Sequence, residues 1–282
     1  MAEWIETYRG GVSAWECDIV EHFTIAYYFE RFADATRNFF ELIGETETLG
    51  PVVGARPSRL YTAFTRELRA GAGFHILSGV VSVDDRSLRL GHQVVSSARG
   101  EAVSWVTEAV LLAASAAPQV RRRLEARTVP WPGPEVPEAV ALATRPGALT
   151  ARDRVKPREL GESGTMALAA HVHRFSGAGM QFLSSIGMTD DYMHQNRRGF
   201  STLALDLRLT GVANVGDRID VTTAIAHLGN TSLSYVHRMS GADGREIASM
   251  VQTGVQLDLD ARRPAALPPS IREAVSGLLA QA

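Results

Sequence analysis

The sequence has few of the features that mark secreted or membrane-spanning proteins. It contains one cysteine, Cys17, so no disulfide can form within the chain, which fits a reducing compartment. No uncharged stretch approaches the roughly 18 apolar residues that a membrane-spanning helix needs, and the apolar run Leu111–Pro118 is far too short. The opening residues Met1–Glu6 include acidic side chains and do not resemble a secretory signal. We therefore expect a cytoplasmic protein that has no membrane partner.

Neither sign of charge dominates the composition. The chain has 29 lysines and arginines against 31 aspartates and glutamates, a formal net charge of −2. The basic field typical of nucleic-acid-binding proteins is therefore missing, and any contact with a phosphate must be local. The 45% hydrophobic and 21% charged residues are typical of a soluble globular protein. At about 150 residues per domain, the 282 residues suggest two domains.

An internal repeat is the most informative feature of the sequence. The segment Phe32–Gly44 resembles Phe175–Gly187, at an offset of 187 − 44 = 143 residues. In each copy the apolar positions step by three or four, which predicts a helix of about 20 residues with one apolar face. Gly44 and Gly187 stand where a left-handed C-terminal cap belongs.

The repeat continues into segments that alternate apolar and polar residues. These segments are rich in β-branched side chains and predict antiparallel strands. The predicted strands are Phe74–Val83, Leu88–Ser96, Ala102–Leu112, Arg218–His227, Ser232–Met239 and Glu246–Leu257. Each half is then an α+β unit with one long helix packed on a sheet.

Two proline-rich segments predict the organisation of the chain. Val129–Pro134 cannot be a helix or a central strand, and we interpret it as the crossover linker. Leu267–Pro269 is expected to end the second half in the same way. With the boundary near Val140–Asp153, we predict domains at residues 1–145 and 146–282.

The segment Val12–Thr24, which precedes the first helix, carries a family resemblance. It resembles the hotdog proteins of the 4-hydroxybenzoyl-CoA thioesterase type, and more closely the tandem double-hotdog proteins with a Trp-Glu-Cys-Asp opening. The resemblance covers nearly the whole chain. It implies two antiparallel sheets, each wrapped round a long helix, with an acyl thioester bound where its carbonyl meets a helix N-terminus. It also implies that Asp18 acts as nucleophile or as general base on water.

The two copies of this opening segment differ. In the first, Glu21 stands where the family usually has glycine, and Thr24 where asparagine is common. In the second copy the acid and the histidine are missing, since Gly161 corresponds to Asp18 and Thr165 to His22. We therefore predict one competent site.

The residues of this site suit the chemistry of a thioester carbonyl. We predict Asp18 and His22 as catalytic residues, with His22 orienting Asp18 or the attacking water. Thr24 and Ile25 belong to the helix start, whose N–H groups would stabilise an oxyanion. Together with Tyr28, which could line an acyl pocket, they are the predicted substrate-binding residues.

Each of these assignments has a simpler alternative. The simpler role of Asp18 is to cap the helix without taking part in chemistry. Likewise, His22 could be an ordinary buried histidine and Tyr28 part of the core. A Cys17 nucleophile is disfavoured because its neighbour Asp18 would raise the pKa of the thiol.

Other groups that could bind ligands are weaker candidates. Arg121–Arg123 and Arg197–Arg198 could hold the phosphates of coenzyme A, or could simply be solvated surface. His171 and His173 point to different sides of a helix, so we expect no metal site.

The leading functional hypothesis is hydrolysis of an acyl thioester of coenzyme A or of an acyl-carrier protein, without metal or redox cofactor. One alternative is a hotdog dehydratase or hydratase, because fold alone does not decide function. A second is a non-catalytic acyl-thioester-binding protein. We expect no nucleic-acid partner, and a homo-oligomer of double hotdogs is compatible with the sequence.

Overall fold

The computed structural model describes residues 3–45, 56–84, 87–111, 118–138 and 147–280 of the chain. The chain divides into two compact units, Met1–Val136 and Pro137–Ala282. The domain limits expected from the sequence stay a prediction, and residues 139–146 around them lie outside the described part.

The first unit consists of five strands and two described helices. Its strands pair antiparallel in the order β1-β3-β4-β5-β2, and α1 packs against β1 and β3. The elements are β1 (Ile5–Gly11), α1 (Ile25–Leu42), β2 (Arg56–Phe64), β3 (Gly73–Val83), β4 (Ser87–Ser96), β5 (Ala102–Leu111) and α2 (Pro118–Glu125).

The second unit repeats this arrangement. Its strands pair antiparallel in the order β6-β8-β9-β10-β7, which matches the first unit strand for strand, and α3 packs against β6 and β8. The elements are β6 (Ala148–Arg154), α3 (Leu168–Ser185), α4 (Asp190–Gln195), β7 (Arg198–Leu209), β8 (Arg218–Leu228), β9 (Ser232–Gly241), β10 (Glu246–Asp258), β11 (Arg263–Pro264) and α5 (Pro269–Ala280). The predicted α+β class is confirmed, whereas the division into two separate sheets stays a prediction.

The two long helices form because their apolar residues recur every three or four positions and so share one face. Both α1 and α3 have 18 residues, and each buries its aromatic face, including Phe32 in α1 and Phe175 in α3. Both end where the chain reverses at a glycine in the left-handed region, Gly44 with φ +75° and Gly187 with φ +94°.

The proline-rich segment that was expected to be a linker packs on the first unit. Val129 donates its N–H to Val80 O at 2.8 Å, and Trp131 lies over Gly91 of β4. Space for both side chains exists because Gly79 and Gly91 face each other across the two strands. Trp131 completes a cluster with Trp4 and Trp105, at ring-centroid distances of 6.3 and 5.6 Å.

The expectation that Leu267–Pro269 ends the second half was wrong. Pro268 precedes α5 and Pro269 is its first residue, because proline is tolerated in the first turn of a helix. Ile271 and Val275 of this helix pack on Phe182 and Tyr235 in the core of the second unit.

A buried hydrogen-bonded histidine recurs in each unit. In the first, His92 Nδ1 lies 2.7 Å from Ser78 Oγ, and its Nε2 lies 3.3 Å from Glu108 Oε2. In the second, His237 Nδ1 lies 2.7 Å from Thr223 Oγ1, while Nε2 has no hydrogen-bond partner in the described part of the chain. Burial lowers the pKa of His237 to about 3, so this ring is neutral.

Candidate active site at the start of helix α1

The residues between the first short 3-10 helix, Ala14–Glu16, and α1 form a tight turn. Asp18 N donates to His22 O at 2.9 Å, and Glu21 N donates to Asp18 O at 3.0 Å. The Asp18 carboxylate accepts two further backbone hydrogen bonds through Oδ1, from Val20 N and His22 N, each at 3.0 Å. Asp18 is exposed, and within the described residues its Oδ2 accepts no hydrogen bond. The carboxylate is thus held through one oxygen and open at the other.

Glu21 occupies the left-handed position of this turn, with φ +66°. The same position in the second unit is Gly164, with φ +73°. The geometry explains why glycine is usual here, since residues with a Cβ rarely adopt a positive φ. Glu21 keeps the turn at the cost of local strain, and its exposed carboxylate lies 3.9 Å from the Arg69 guanidinium.

A buried ion pair anchors the turn to the middle of α1. Glu16 is 4% exposed, accepts the Ser13 N–H at 2.8 Å and binds Arg31 Nη2 at 2.5 Å. The second unit has the same pair, Glu159 with Arg174, at 2.7 Å. This ion pair, the brace of each unit, was not predicted from the sequence. Both of its partners recur at the offset of 143 residues, so a comparison of polar positions in the two copies would have found it.

The N-terminus of α1 follows the turn directly. Thr24 is the N-cap, but its side chain makes no capping hydrogen bond. Its N–H donates to Glu16 O at 2.8 Å, which fixes the direction in which the helix begins. The first turn contains no acidic residue, so the N–H groups of Ile25 and Ala26 present the positive end of the helix dipole.

The predicted catalytic residues Asp18 and His22 are brought together by backbone hydrogen bonds of the turn. The imidazole of His22 is largely buried, and its Nε2 lies 2.8 Å from Glu67 Oε1. Glu67 in turn accepts from Arg69 Nη2 at 3.0 Å. His22 holds Asp18 through its backbone, whereas its side chain binds Glu67, a residue that sequence reasoning did not identify.

The predicted substrate-binding residues differ in their accessibility. Thr24 and Ile25 are half-buried at the helix start. Tyr28 is 3% exposed and packs on Phe23 and Phe64, with ring centroids 4.5 and 5.2 Å away. Burial raises the pKa of its phenol. Tyr28 thus lies among core aromatic residues at this end of the unit.

Three further side chains surround Asp18. The pKa of the Cys17 thiol is raised, mainly by burial and further by the carboxylates of Asp18 and Glu16, which disfavours a thiolate as expected. Trp15 and Ile19 are 80% and 87% exposed. Both are exposed apolar side chains within three residues of Asp18 in the chain.

The other candidate groups are engaged elsewhere. The arginine clusters pair with carboxylates: Arg121 with Glu125, Arg123 with Glu45, Arg197 with Asp260 and Arg198 with Asp258. Their role as a phosphate site is therefore weakened. His171 Nδ1 lies 2.8 Å from Ala167 O. Over the described ranges, no group of three or more His, Cys, Asp or Glu could hold a metal ion, and no helix is long and apolar enough to cross a membrane.

The comparison with known families decides the identity of the chain. The sequence profile of the thioesterase-like superfamily matches residues 12–141 and 155–275, once for each repeat. The chain belongs to the thioesterase-like superfamily. The first match in this thioesterase-like protein contains the Asp18 turn, and the second contains its counterpart at Gly161.

Solved structures of similar fold include two proteins that are named as acyl-carrier-protein thioesterases. One is an acyl-ACP thioesterase from Bacteroides thetaiotaomicron VPI-5482, with a TM-score of 0.66 and 10% identity over 88% of this chain and 96% of that chain. The other is the 12:0-ACP thioesterase from Umbellularia californica, with a TM-score of 0.64 and 11% identity over 88% of this chain and 96% of that chain. At these identities the likeness shows the fold. Among curated proteins, no sequence matches this chain.

Proposed function

We propose that this thioesterase-like protein hydrolyses an acyl thioester of coenzyme A or of an acyl-carrier protein to the free acid and the thiol. The observation that carries the proposal is the Asp18 turn. An exposed carboxylate, held through one oxygen by two backbone N–H groups, directly precedes the start of an 18-residue helix.

The two oxygens of Asp18 have different roles in this proposal. Oδ1 is stabilised by its two hydrogen bonds, so Oδ2 is the oxygen that reacts. In one route Oδ2 attacks the thioester carbon, the thiolate leaves and takes a proton, and water hydrolyses the resulting anhydride. In the other, Oδ2 takes a proton from water, the hydroxide attacks, and the leaving thiolate receives that proton.

The helix start supplies the stabilising group that either route needs. Negative charge develops on the carbonyl oxygen as the tetrahedral intermediate forms. The N–H groups of the first turn have no acceptor within the helix, and that of the half-buried Ile25 is the one we propose donates to that oxygen. Trp15 and Ile19, which are exposed and near Asp18 in the chain, are the apolar side chains that we propose the acyl group contacts.

The remaining features of the proposal follow from the same site. All proposed steps use side chains of this chain and water, so we propose no metal or redox cofactor. The two similar structures are named as acyl-carrier-protein thioesterases, which makes a carrier-bound acyl group a substrate to test beside coenzyme A thioesters. A cytoplasmic location and assembly into a homo-oligomer stay predictions.

The test is release of free thiol from a panel of short, long and aromatic acyl groups, each bound to coenzyme A and to a carrier protein. Asp18→Asn should lower kcat by ~10²-fold or more. Asp217→Asn is the matched control, because Asp217 is an exposed turn carboxylate that also accepts a backbone N–H, from Asn214 at 2.9 Å. Saturable binding without turnover would instead support a binding protein, and turnover that Asp18→Asn leaves unchanged would remove Asp18 from the mechanism.

A further inference from the structure

Comparison with the second unit shows which residues of the first unit are needed to form this end of the fold. It keeps the turn itself, since Gly161 N donates to Thr165 O at 2.8 Å and Gly164 N donates to Gly161 O at 3.0 Å. It also keeps the brace between Glu159 and Arg174. Residues present in both units therefore suffice to build this end of the fold.

A second set of residues exists only in the first unit. The correspondence of the neighbouring loops is fixed by backbone pairing, since Phe23 N donates to Leu68 O and Met166 N donates to Ala213 O. This pairing sets an offset of 213 − 68 = 145 for the loop, whereas the turn itself keeps the offset of 143. Four residues of the turn and loop differ between the two units. The replaced pairs are Asp18 by Gly161, His22 by Thr165, Glu67 by Val212 and Arg69 by Asn214.

These residues are connected by direct contacts in the first unit. Glu67 Oε1 lies 2.8 Å from His22 Nε2, and Glu67 Oε2 accepts from Arg69 at 3.0 Å. His22 is linked to Asp18 in both directions, through its N–H to Oδ1 and through its carbonyl to the Asp18 N–H. The loop that carries Glu67 also holds the residue after His22, through Leu68 O.

We propose that Glu67 is a positioning residue that acts through His22 on the Asp18 turn, an inference that rests on the proposed function. A carboxylate at Nε2 needs a proton on that nitrogen, so the bond to Glu67 favours the forms of the ring in which Nε2 carries a proton. The same bond fixes the imidazole of His22, whose backbone fixes Asp18. Loss of this bond would reduce the fraction of molecules in which the ring and the turn have the reactive arrangement.

The first test compares Glu67→Gln with Glu101→Gln in the full chain. Glu101 is the matched control, because it is a half-exposed carboxylate that pairs with Arg66 and Arg99 at the same end of the unit. We expect Glu67→Gln to lower kcat by ~10-fold or more with KM changed less than ~3-fold. Glu101→Gln should leave both constants unchanged, and an equal effect of the two variants would overturn the proposal.

The second test asks whether Glu67 acts through His22. In a His22→Ala background, Glu67→Gln should change kcat by less than ~2-fold, because the partner through which it acts is gone. Full additivity of the two substitutions would overturn the proposal.

The third test does not depend on turnover. The ¹⁵N chemical shifts of the His22 ring in the folded protein should show the Nε2–H tautomer, and Glu67→Gln should lower its population. If no thioester is hydrolysed by the wild type, the proposed function fails whatever the spectrum shows. If turnover is present but Glu67→Gln changes neither kcat nor the population of the Nε2–H tautomer, the proposed function stands and this inference fails.

Discussion

The packing of Trp131 onto the first unit makes Gly91 a position where even one methyl group should destabilise the protein. A Cβ on Gly91 would lie 2.8 Å from Trp131 Cζ3 and 2.9 Å from Val81 Cγ2. Carbon atoms pack best at about 3.5–4.0 Å, so the indole or the strand would have to move by roughly 0.7 Å or more. Neither neighbour is the end of a long flexible side chain that could turn away.

The size of the effect follows from two opposing terms. Overpacking costs about 1–3 kcal/mol, and replacing glycine by alanine recovers up to ~1 kcal/mol through the unfolded chain. We therefore expect Gly91→Ala to lower the free energy of unfolding by about 1–2 kcal/mol. Urea unfolding, followed by tryptophan fluorescence and by circular dichroism, measures the change.

Two controls separate the clash from the general effect of a strand glycine. Gly73→Ala adds a Cβ that would lie 3.6 Å from Ser97 Cβ, an ordinary contact, so it should cause no loss of stability. In a Trp131→Leu background, Gly91→Ala should lose most of its cost because the rigid indole is absent. The reasoning is refuted if both glycine variants lose the same stability, or if the cost persists after Trp131 is replaced.

Two further predictions concern buried charged or titratable groups. Arg31→Met leaves the buried Glu16 carboxylate without its partner and should lower the free energy of unfolding by roughly 3 kcal/mol in urea titrations, whereas Arg9→Met, which breaks an exposed pair, should not measurably change it. His237 has a folded pKa of about 3, below the unfolded value near 6.5, so the unfolded state binds more protons and stability falls as pH drops through this window. Between pH 7 and pH 5 we expect this group to contribute a loss of about 2 kcal/mol, which should disappear in His237→Gln and persist in a variant of the exposed His227. Equal pH dependence in the wild type and His237→Gln would contradict the assignment of a buried neutral ring.

The comparison of the two units also explains what changed between them around the second histidine. In the first unit, Thr36 Oγ1 lies 3.3 Å from His92 Nε2. The corresponding helix position in the second unit is Gly179, and a Cβ there would lie 3.4 Å from Tyr235 Oη and 3.6 Å from His237 Nε2. The tyrosine ring fills the space that the threonine would need, so the helix position is restricted to a small residue.

The sequence by itself determined the repeat, the two long helices and the six strands that alternate most clearly. These features depend on periodicity and on glycine at chain reversals, both of which are local properties. The family was also readable, because the motif around Asp18 that carries the resemblance is contiguous in the chain. The segment Leu267–Pro269 was wrongly predicted to end the second half, because proline is found both after the end of an element and in the first turn of a helix.

Only the tertiary structure decided which side chains act together. Glu67 lies 45 residues from His22 in the chain (67 − 22), and Arg31 lies 15 residues from Glu16, so neither pair is visible as a local pattern. The direction of the His22 ring, toward Glu67, depends on how the loop before β3 packs along the turn. Such contacts are set by the packing of distant segments, and a single sequence records them only where an internal repeat allows the two copies to be compared.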